Sequence, residues 1–332
     1  WSSDVCSSDL NLKNIDVSIP LDCLTVVTGV SGSGKSTLIR GILYPALLKH
    51  LQGHGPKALE YDHLGGSLNR IEAIEMVDQN PIGRSSRSNP VTYIKAYDDI
   101  RELMARQKRS KLNQFKAKHF SFNIDGGRCD QCKGDGEVTV EMQFMADVVL
   151  TCEVCKGTRF KEEVLEVQFQ EKNIHDLLKL TVQEAYDFFE THGEYKIARK
   201  LRPLIDVGLG YVQLGQSSAT LSGGEAQRIK LASFLSKGNN SSRTLFIFDE
   251  PTTGLHFHDI KLLLDSFTAL IANGHTVIVV EHHLDLIKCA DHIIDLGPVG
   301  GTKGGQLLTV GTPEEVVLSK DSFTAEYLRL KI

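Results

Sequence analysis

Two stretches far apart in the chain carry groups able to handle a nucleoside triphosphate. Gly29-Val30-Ser31-Gly32-Ser33-Gly34-Lys35-Ser36, followed by Thr37, fills every fixed position of G-x-x-x-x-G-K-[ST]. Glycines in such a loop let successive backbone N–H groups turn inward on a phosphate, and the next helix presents its positive end. Lys35 is placed to reach the β- and γ-phosphates, and the Ser36 hydroxyl to ligate Mg²⁺. The second stretch is Leu245-Phe246-Ile247-Phe248-Asp249-Glu250-Pro251. A carboxylate such as Asp249, ending an apolar strand, can reach Mg²⁺ through water. Glu250 beside it is the natural candidate for general base or water positioner.

Four cysteines form a separate chemical group. Cys129-x-x-Cys132 and Cys152-x-x-Cys155 have the paired spacing of a tetrahedral zinc site, and each pair is followed by Lys-Gly. All four ligand places are filled, which argues for a structural Zn²⁺ rather than a catalytic one. Free thiols, two disulfides or an iron–sulfur cluster are the alternatives, and the paired-knuckle spacing favours zinc. Cys6, Cys23 and Cys289 are scattered, which suits a reducing, cytoplasmic setting better than a disulfide framework.

Leu221-Ser222-Gly223-Gly224-Glu225-Ala226-Gln227-Arg228 reads as a helix start. Ser222 caps it, Glu225 completes a capping box, and two glycines leave the N-terminus open to an anion. Between Arg84 and Lys118 ten Lys/Arg are opposed by Asp98, Asp99 and Glu102 alone. Such a run is often a solvated face, but beside a zinc module it suggests contact with a polyanion through phosphates, without base readout. Arg84, Arg87, Arg106, Lys108, Arg109 and Lys111 are the candidate contacts.

The elements that must position these groups follow from apolar periodicity. Asn11–Pro20, Cys23–Thr28, Ile71–Val77, Val164–Phe169, Leu245–Phe248 and Thr276–Val280 read as strands. Thr37–Leu51, Val91–Phe115, Val182–Phe189, Lys196–Val207, Gly224–Ser236 and His258–Ala272 read as helices. The alternation predicts an α/β fold with a mostly parallel, doubly wound sheet. Residues 1–10 read as a non-native leader, 11–80 as the first part of an ATP-binding domain and 81–219 as an insertion. Within the insertion, 84–118 is the basic helical region and about 126–160 the zinc module. The ATP-binding domain resumes over 220–332. Length and a net charge of −5 allow a large core and exclude a polycation as a whole. No apolar run approaches membrane-spanning length.

With these motifs assembled, the chain resembles the ATP-binding-cassette (ABC) superfamily. Gln79 resembles its Q-loop glutamine, His282 its switch histidine and Thr253-Gly254-Leu255 its D-loop. Ser222 to Gln227 resemble the signature segment that closes on the γ-phosphate held by another cassette. Three longer runs narrow the resemblance: Arg84-Ser85-Ser86-Arg87-Ser88-Asn89-Pro90-Val91-Thr92-Tyr93, Phe120-Ser121-Phe122-Asn123 before Gly126-Gly127-Arg128-Cys129, and Asp249 through His256. They are similar to the UvrA family of bacterial nucleotide excision repair, with Ser86 standing where proline is expected. The resemblance runs from about Asn11 to the end and covers only that family's C-terminal cassette; a fragment of a two-cassette protein and a single-cassette chain are both open readings. It implies an ABC-type P-loop fold split by a helical signature domain, ATP, Mg²⁺ and Zn²⁺ as cofactors, and damaged double-stranded DNA, UvrB and a second UvrA protomer as partners. It also implies ATP hydrolysis without nuclease chemistry. A non-repair member of the same family and a transporter-type ATPase are the rival readings; the second has no use for four cysteines.

Overall fold

The structure, a computed structural model, describes residues 12–83, 87–140, 142, 148–236 and 242–332. Eight strands occur among them: β1 (Leu24–Gly29), β2 (Ala73–Val77), β3 (Glu137–Val140), β4 (Val148–Thr151), β5 (Thr244–Asp249), β6 (Thr276–Val280), β7 (His292–Gly297) and β8 (Gln306–Gly311). The chain divides into two compact units, residues 1–79 with 237–332, and residues 80–236.

The first is the sheet unit. Its six strands run in the order β2-β5-β6-β1-β7-β8. All neighbours pair in parallel except β7 and β8. Parallel strands covered on both faces need apolar side chains on both faces, so they read as unbroken runs rather than alternations. LTVVTG and TVIVV are such runs, and every residue of β1 and β6 is buried. Register then decides what sits side by side. Gly29 pairs with Leu296, and Asp249 pairs with Val280. The carboxyl ends of β1, β5, β6 and β7 therefore form one rim, the edge at which open α/β sheets bind ligands.

Two expected strands are absent. Over Asn11–Pro20, Leu12, Ile15 and Val17 are buried in the core, yet the described residues join no ladder. Asn14 adopts φ 44°, a left-handed turn that breaks extended backbone. Over Val164–Phe169 the chain starts as the helical turn Glu162–Leu165. It ends in a tight turn in which Phe169 bridges Lys172, with Gln170 and Glu171 both at positive φ. Val164 and Val167 are fully buried three residues apart, a helical rather than a strand spacing. The expected helix over Thr37–Leu51 begins with seven residues, Thr37–Leu43, at the wider π pitch. It becomes α-helical at Tyr44–Gln52, with Pro45 at the junction. Proline has no N–H to give the preceding turn, which suits a local change of pitch.

The inserted unit is helical around an aromatic centre. Tyr97 donates its hydroxyl to the Phe120 carbonyl at 2.6 Å and stacks on Phe122 with ring centroids 5.0 Å apart. Val91–Phe115, expected as one helical stretch, is three short helices, Pro90–Tyr93, Ala96–Ala105 and Lys108–Leu112. The first break is Lys95 at φ 59°. The unit's edge also differs from expectation. The helix Gly223–Leu235 groups with residues 80–236, not with the sheet unit. Ala226, Ile229, Leu231 and Ala232 bury its inner face, and it packs on the helices Tyr195–Asp206 and Pro90–Tyr93.

Candidate nucleotide site and candidate zinc centre

The phosphate loop leaves β1 at Gly29, where φ is 132° and an added Cβ would lie 1.9 Å from the Leu296 carbonyl oxygen. Only glycine lets the loop pass β7 this closely. The Gly301 N–H donates to the Gly32 carbonyl at 3.1 Å, and the Leu38 N–H to the Gly34 carbonyl at 2.8 Å, which starts the helix. Lys35 is 6% exposed, and its ammonium donates to the carbonyls of Gly29 and Val30, each at 2.9 Å. Burial lowers its pKa, while the carboxylates of Glu250, Asp295 and Asp249 act in the opposite direction. Ser33 Oγ is buried with no hydrogen-bond partner among the described residues. A glycine-rich loop at a helix start, a buried ammonium and an orphaned hydroxyl fit a polyphosphate.

The acidic strand end lies on the same rim. Asp249 is held by Arg40, with Nη2 to Oδ2 at 2.5 Å. Glu250 has φ 46°, uncommon for a residue with a side chain and typical of strain held at functional turns. Its N–H donates to the Val280 carbonyl at 2.9 Å, and Gln79 Nε2 donates to its carbonyl at 3.1 Å. His282 Nε2 stands 3.8 Å from Glu250 Oε1. Burial, reinforced by Lys35, lowers the His282 pKa, so the imidazole is neutral near pH 7. Gly29, Lys35, Gln79, Asp249, Glu250 and His282 thus meet in the sheet unit. Their residue types and spacing suit Mg²⁺ bound by Ser36 and Asp249.

The signature segment belongs to the inserted unit. Ser222 caps the helix Gly223–Leu235 as expected, with the Glu225 N–H donating to Ser222 Oγ at 3.2 Å. Glu225 answers by accepting the Ser222 N–H at 2.7 Å and the Ser222 hydroxyl at 3.0 Å. Tyr211, which sequence reasoning passed over, donates its hydroxyl to Glu225 Oε1 at 2.6 Å. The Glu225 pKa is lowered: burial opposes this, but the bonds from Tyr211 and Ser222 outweigh it.

The cysteine module has an internal two-fold pattern. The Cys129 N–H donates to the Arg159 carbonyl and the Cys152 N–H to the Gly136 carbonyl, both at 2.9 Å. Lys133-Gly134 and Lys156-Gly157, the matching Lys-Gly pairs, all take positive φ. Each knuckle therefore folds back on the other. The four Sγ atoms are buried and lie within 4.8 Å of one another. Cys129 and Cys152 Sγ are 3.9 Å apart, and Cys132 and Cys155 Sγ 3.6 Å. Tetrahedral Zn²⁺ with bonds of about 2.3 Å spaces its sulfurs by about 3.8 Å, close to both of these distances, so the quartet suits zinc. Backbone N–H groups of Cys155 and Val154 lower the Cys152 thiol to about 7, and the Gly136 N–H donates to Cys132 Sγ at 3.2 Å, while burial pushes the Cys132 thiol up and the Cys155 thiol up to about 12. These donors stabilise thiolate, the form that binds metal.

The basic candidates are divided by the structure. Arg87 makes a forked pair with Asp135, Nε at 3.0 Å and Nη2 at 3.2 Å, bracing the first knuckle. Arg106 pairs with Glu194 at 3.3 Å, and Arg109 with Glu166. Lys108 and Lys111 are exposed and make no ion pair among the described residues. Arg84 lies outside the described residues.

Comparisons with known proteins agree with this geometry. No protein-family model matches the chain. It is 54% identical over 325 residues to UvrABC system protein A of Aquifex aeolicus, covering 98% of this chain and 35% of that one. It is 53% identical over 325 residues to UvrABC system protein A of Clostridium acetobutylicum, covering 98% and 34%. Over nearly its whole length the chain is similar to one part of UvrA proteins. A crystal structure of UvrA2 from Deinococcus radiodurans superposes with a TM-score of 0.88 at 46% identity, covering 99% of this chain and 39% of that one. The chain thus spans about a third of the length of the UvrA relatives it matches. The mostly parallel six-stranded sheet, shared with UvrA2, bears out the expected α/β fold. No helix among the described residues is long and apolar enough to cross a membrane.

Proposed function

We propose that this chain is a cassette of a UvrA-type protein that binds and hydrolyses MgATP to control contact with damaged double-stranded DNA. The observation that carries the reading is the convergence of the phosphate loop, Asp249-Glu250 and His282 on one rim of the sheet. Loop N–H groups and Lys35 hold the phosphates, Ser36 and Asp249 would hold Mg²⁺, and Mg²⁺ supplies charge neutralisation at the phosphate oxygens. Glu250, fixed by Val280 and Gln79, orients the attacking water and accepts its proton. Neutral His282 lies within reach of Glu250 and of the phosphate side of the pocket. Ser222 to Glu225 would complete a site on another cassette, which makes a second UvrA protomer the natural partner. The Zn²⁺ module shapes the inserted unit, while Lys108 and Lys111 offer free ammonium groups for DNA phosphates. The motif resemblance also implies UvrB as a partner, with this chain contributing ATP hydrolysis and no nuclease chemistry.

The test is steady-state turnover of MgATP by the chain and by Lys35→Ala. Loss of a phosphate-binding cation should lower kcat/KM by about a hundredfold or more. Wild-type turnover in Lys35→Ala would remove the site assignment. Turnover per chain should rise with protein concentration if sites are shared between copies.

A further inference from the structure

We infer that Glu281 is a positioning residue for this hydrolysis, an inference that rests on the ATPase reading above. Glu281 directly follows β6 and is 3% exposed. Its Oε1 accepts the Thr252 N–H at 2.9 Å and also the Thr252 hydroxyl. Its Oε2 accepts the N–H groups of His282 at 2.5 Å and His283 at 2.9 Å. Its own N–H donates to the Val27 carbonyl on β1 at 3.1 Å. One buried side chain therefore ties the turn after Glu250 to the turn that carries His282, and its backbone ties both to the strand that feeds the phosphate loop.

The partners explain the residue type. Glu281 makes no ion pair among the described residues; four N–H and O–H donors satisfy it instead. A carboxylate has two acceptor oxygens and no donor, so it can face donors on both sides. An amide of the same shape cannot, because its NH₂ would oppose either Thr252 or the two histidine amides. A buried carboxylate saturated in this way does not touch reacting atoms. It fixes where Glu250 and His282 stand, 3.8 Å apart, and small displacements there are costly to rate.

The test compares Glu281→Gln, Glu281→Asp and Lys35→Ala in the full 332-residue chain. The readouts are kcat and KM for MgATP, Tm, and hydrogen exchange at the amides of Thr252, His282 and His283. Glu281→Gln should lower kcat about tenfold or more with KM within about threefold, and those three amides should exchange at least about tenfold faster while β1 and β6 stay protected. Glu281→Asp should recover part of the loss. Wild-type kcat in Glu281→Gln, unchanged exchange at the three amides, or a kcat loss matched by collapse of Tm and of KM would overturn the inference. A wild-type chain without ATPase activity, or an active Lys35→Ala, overturns the ATPase reading instead. The exchange measurement then still decides whether Glu281 holds the two turns.

Discussion

The six-stranded sheet and the cysteine module solve the same problem, holding backbone in place, by opposite means. Strands β1, β5 and β6 bury side chains such as Val26, Phe248 and Ile278 almost completely. The hairpin β3–β4 buries almost nothing. Val140, Val148 and Leu150 lie on one of its faces, at paired or alternating positions, and all are more than a third exposed. Its companion Val138 packs against the cysteine cluster. The sheet is stabilised by apolar area removed from water. The knuckles are too small for that, and four buried cysteines placed to hold one ion would take its place. A sheet assembled from dispersed contacts should therefore degrade by degrees, whereas a metal-held module should fail at once.

That contrast is most easily broken at the zinc ligands. Chelation, or Cys152→Ser, should release about one equivalent of zinc and expose residues near 126–160 to protease, since structural zinc contributes on the order of 10 kcal/mol to such modules. The sheet unit should keep its amide protection. Retention of zinc by Cys152→Ser would end the four-ligand assignment. A core deletion is the counterpart. Phe248→Ala should cost about 3–5 kcal/mol and lower Tm by several degrees with zinc content unchanged, as calorimetry and metal analysis would report.

A smaller effect should come from pH. His275 is buried, and its Nδ1 accepts the Thr244 N–H at 3.1 Å at the start of β5. Burial lowers its pKa, so the unfolded chain binds the proton more readily than the folded one. Stability is then full above the unfolded histidine pKa of about 6.5 and declines as pH falls below it. Tm measured from pH 7 to 5 should fall, and fall less steeply in His275→Gln; equal slopes would remove His275 as a cause. The smallest change is expected on the hairpin. Val149→Thr, at a 55% exposed site, should move stability by less than about 0.5 kcal/mol. A loss the size of that from Phe248→Ala would mean that the hairpin is core after all.

What could be read from the chain alone differed between these regions. Apolar runs ending in Gly29, Asp249 and Val280 announced parallel strands and the groups at their ends, because burial on both faces leaves a plain signature. Cysteine spacing announced the knuckles, because a tetrahedral ion demands a short repeat. Glu281 ends an apolar run just as Asp249 does, so a signal existed. What the spacing did not carry was its partner, Thr252, contributed by a distant turn. Tyr211 and Arg40 escaped for the same reason: each acts through hydrogen bonds or an ion pair with residues on another segment. Among the basic residues, sequence counted charge but did not reveal that Arg87, Arg106 and Arg109 already face carboxylates.

Local order in the chain thus determined the phosphate loop, the strand-ending acids, the helix cap at Ser222 and the cysteine pairs, all of which depend on neighbours within a few residues. Tertiary structure alone decided that Leu12, Ile15 and Val17 are buried without joining a strand, that residues 220–236 pack with the insertion, and that Glu281 bridges two turns. Those outcomes depend on which distant surfaces meet, and burial free energy is indifferent to sequence distance.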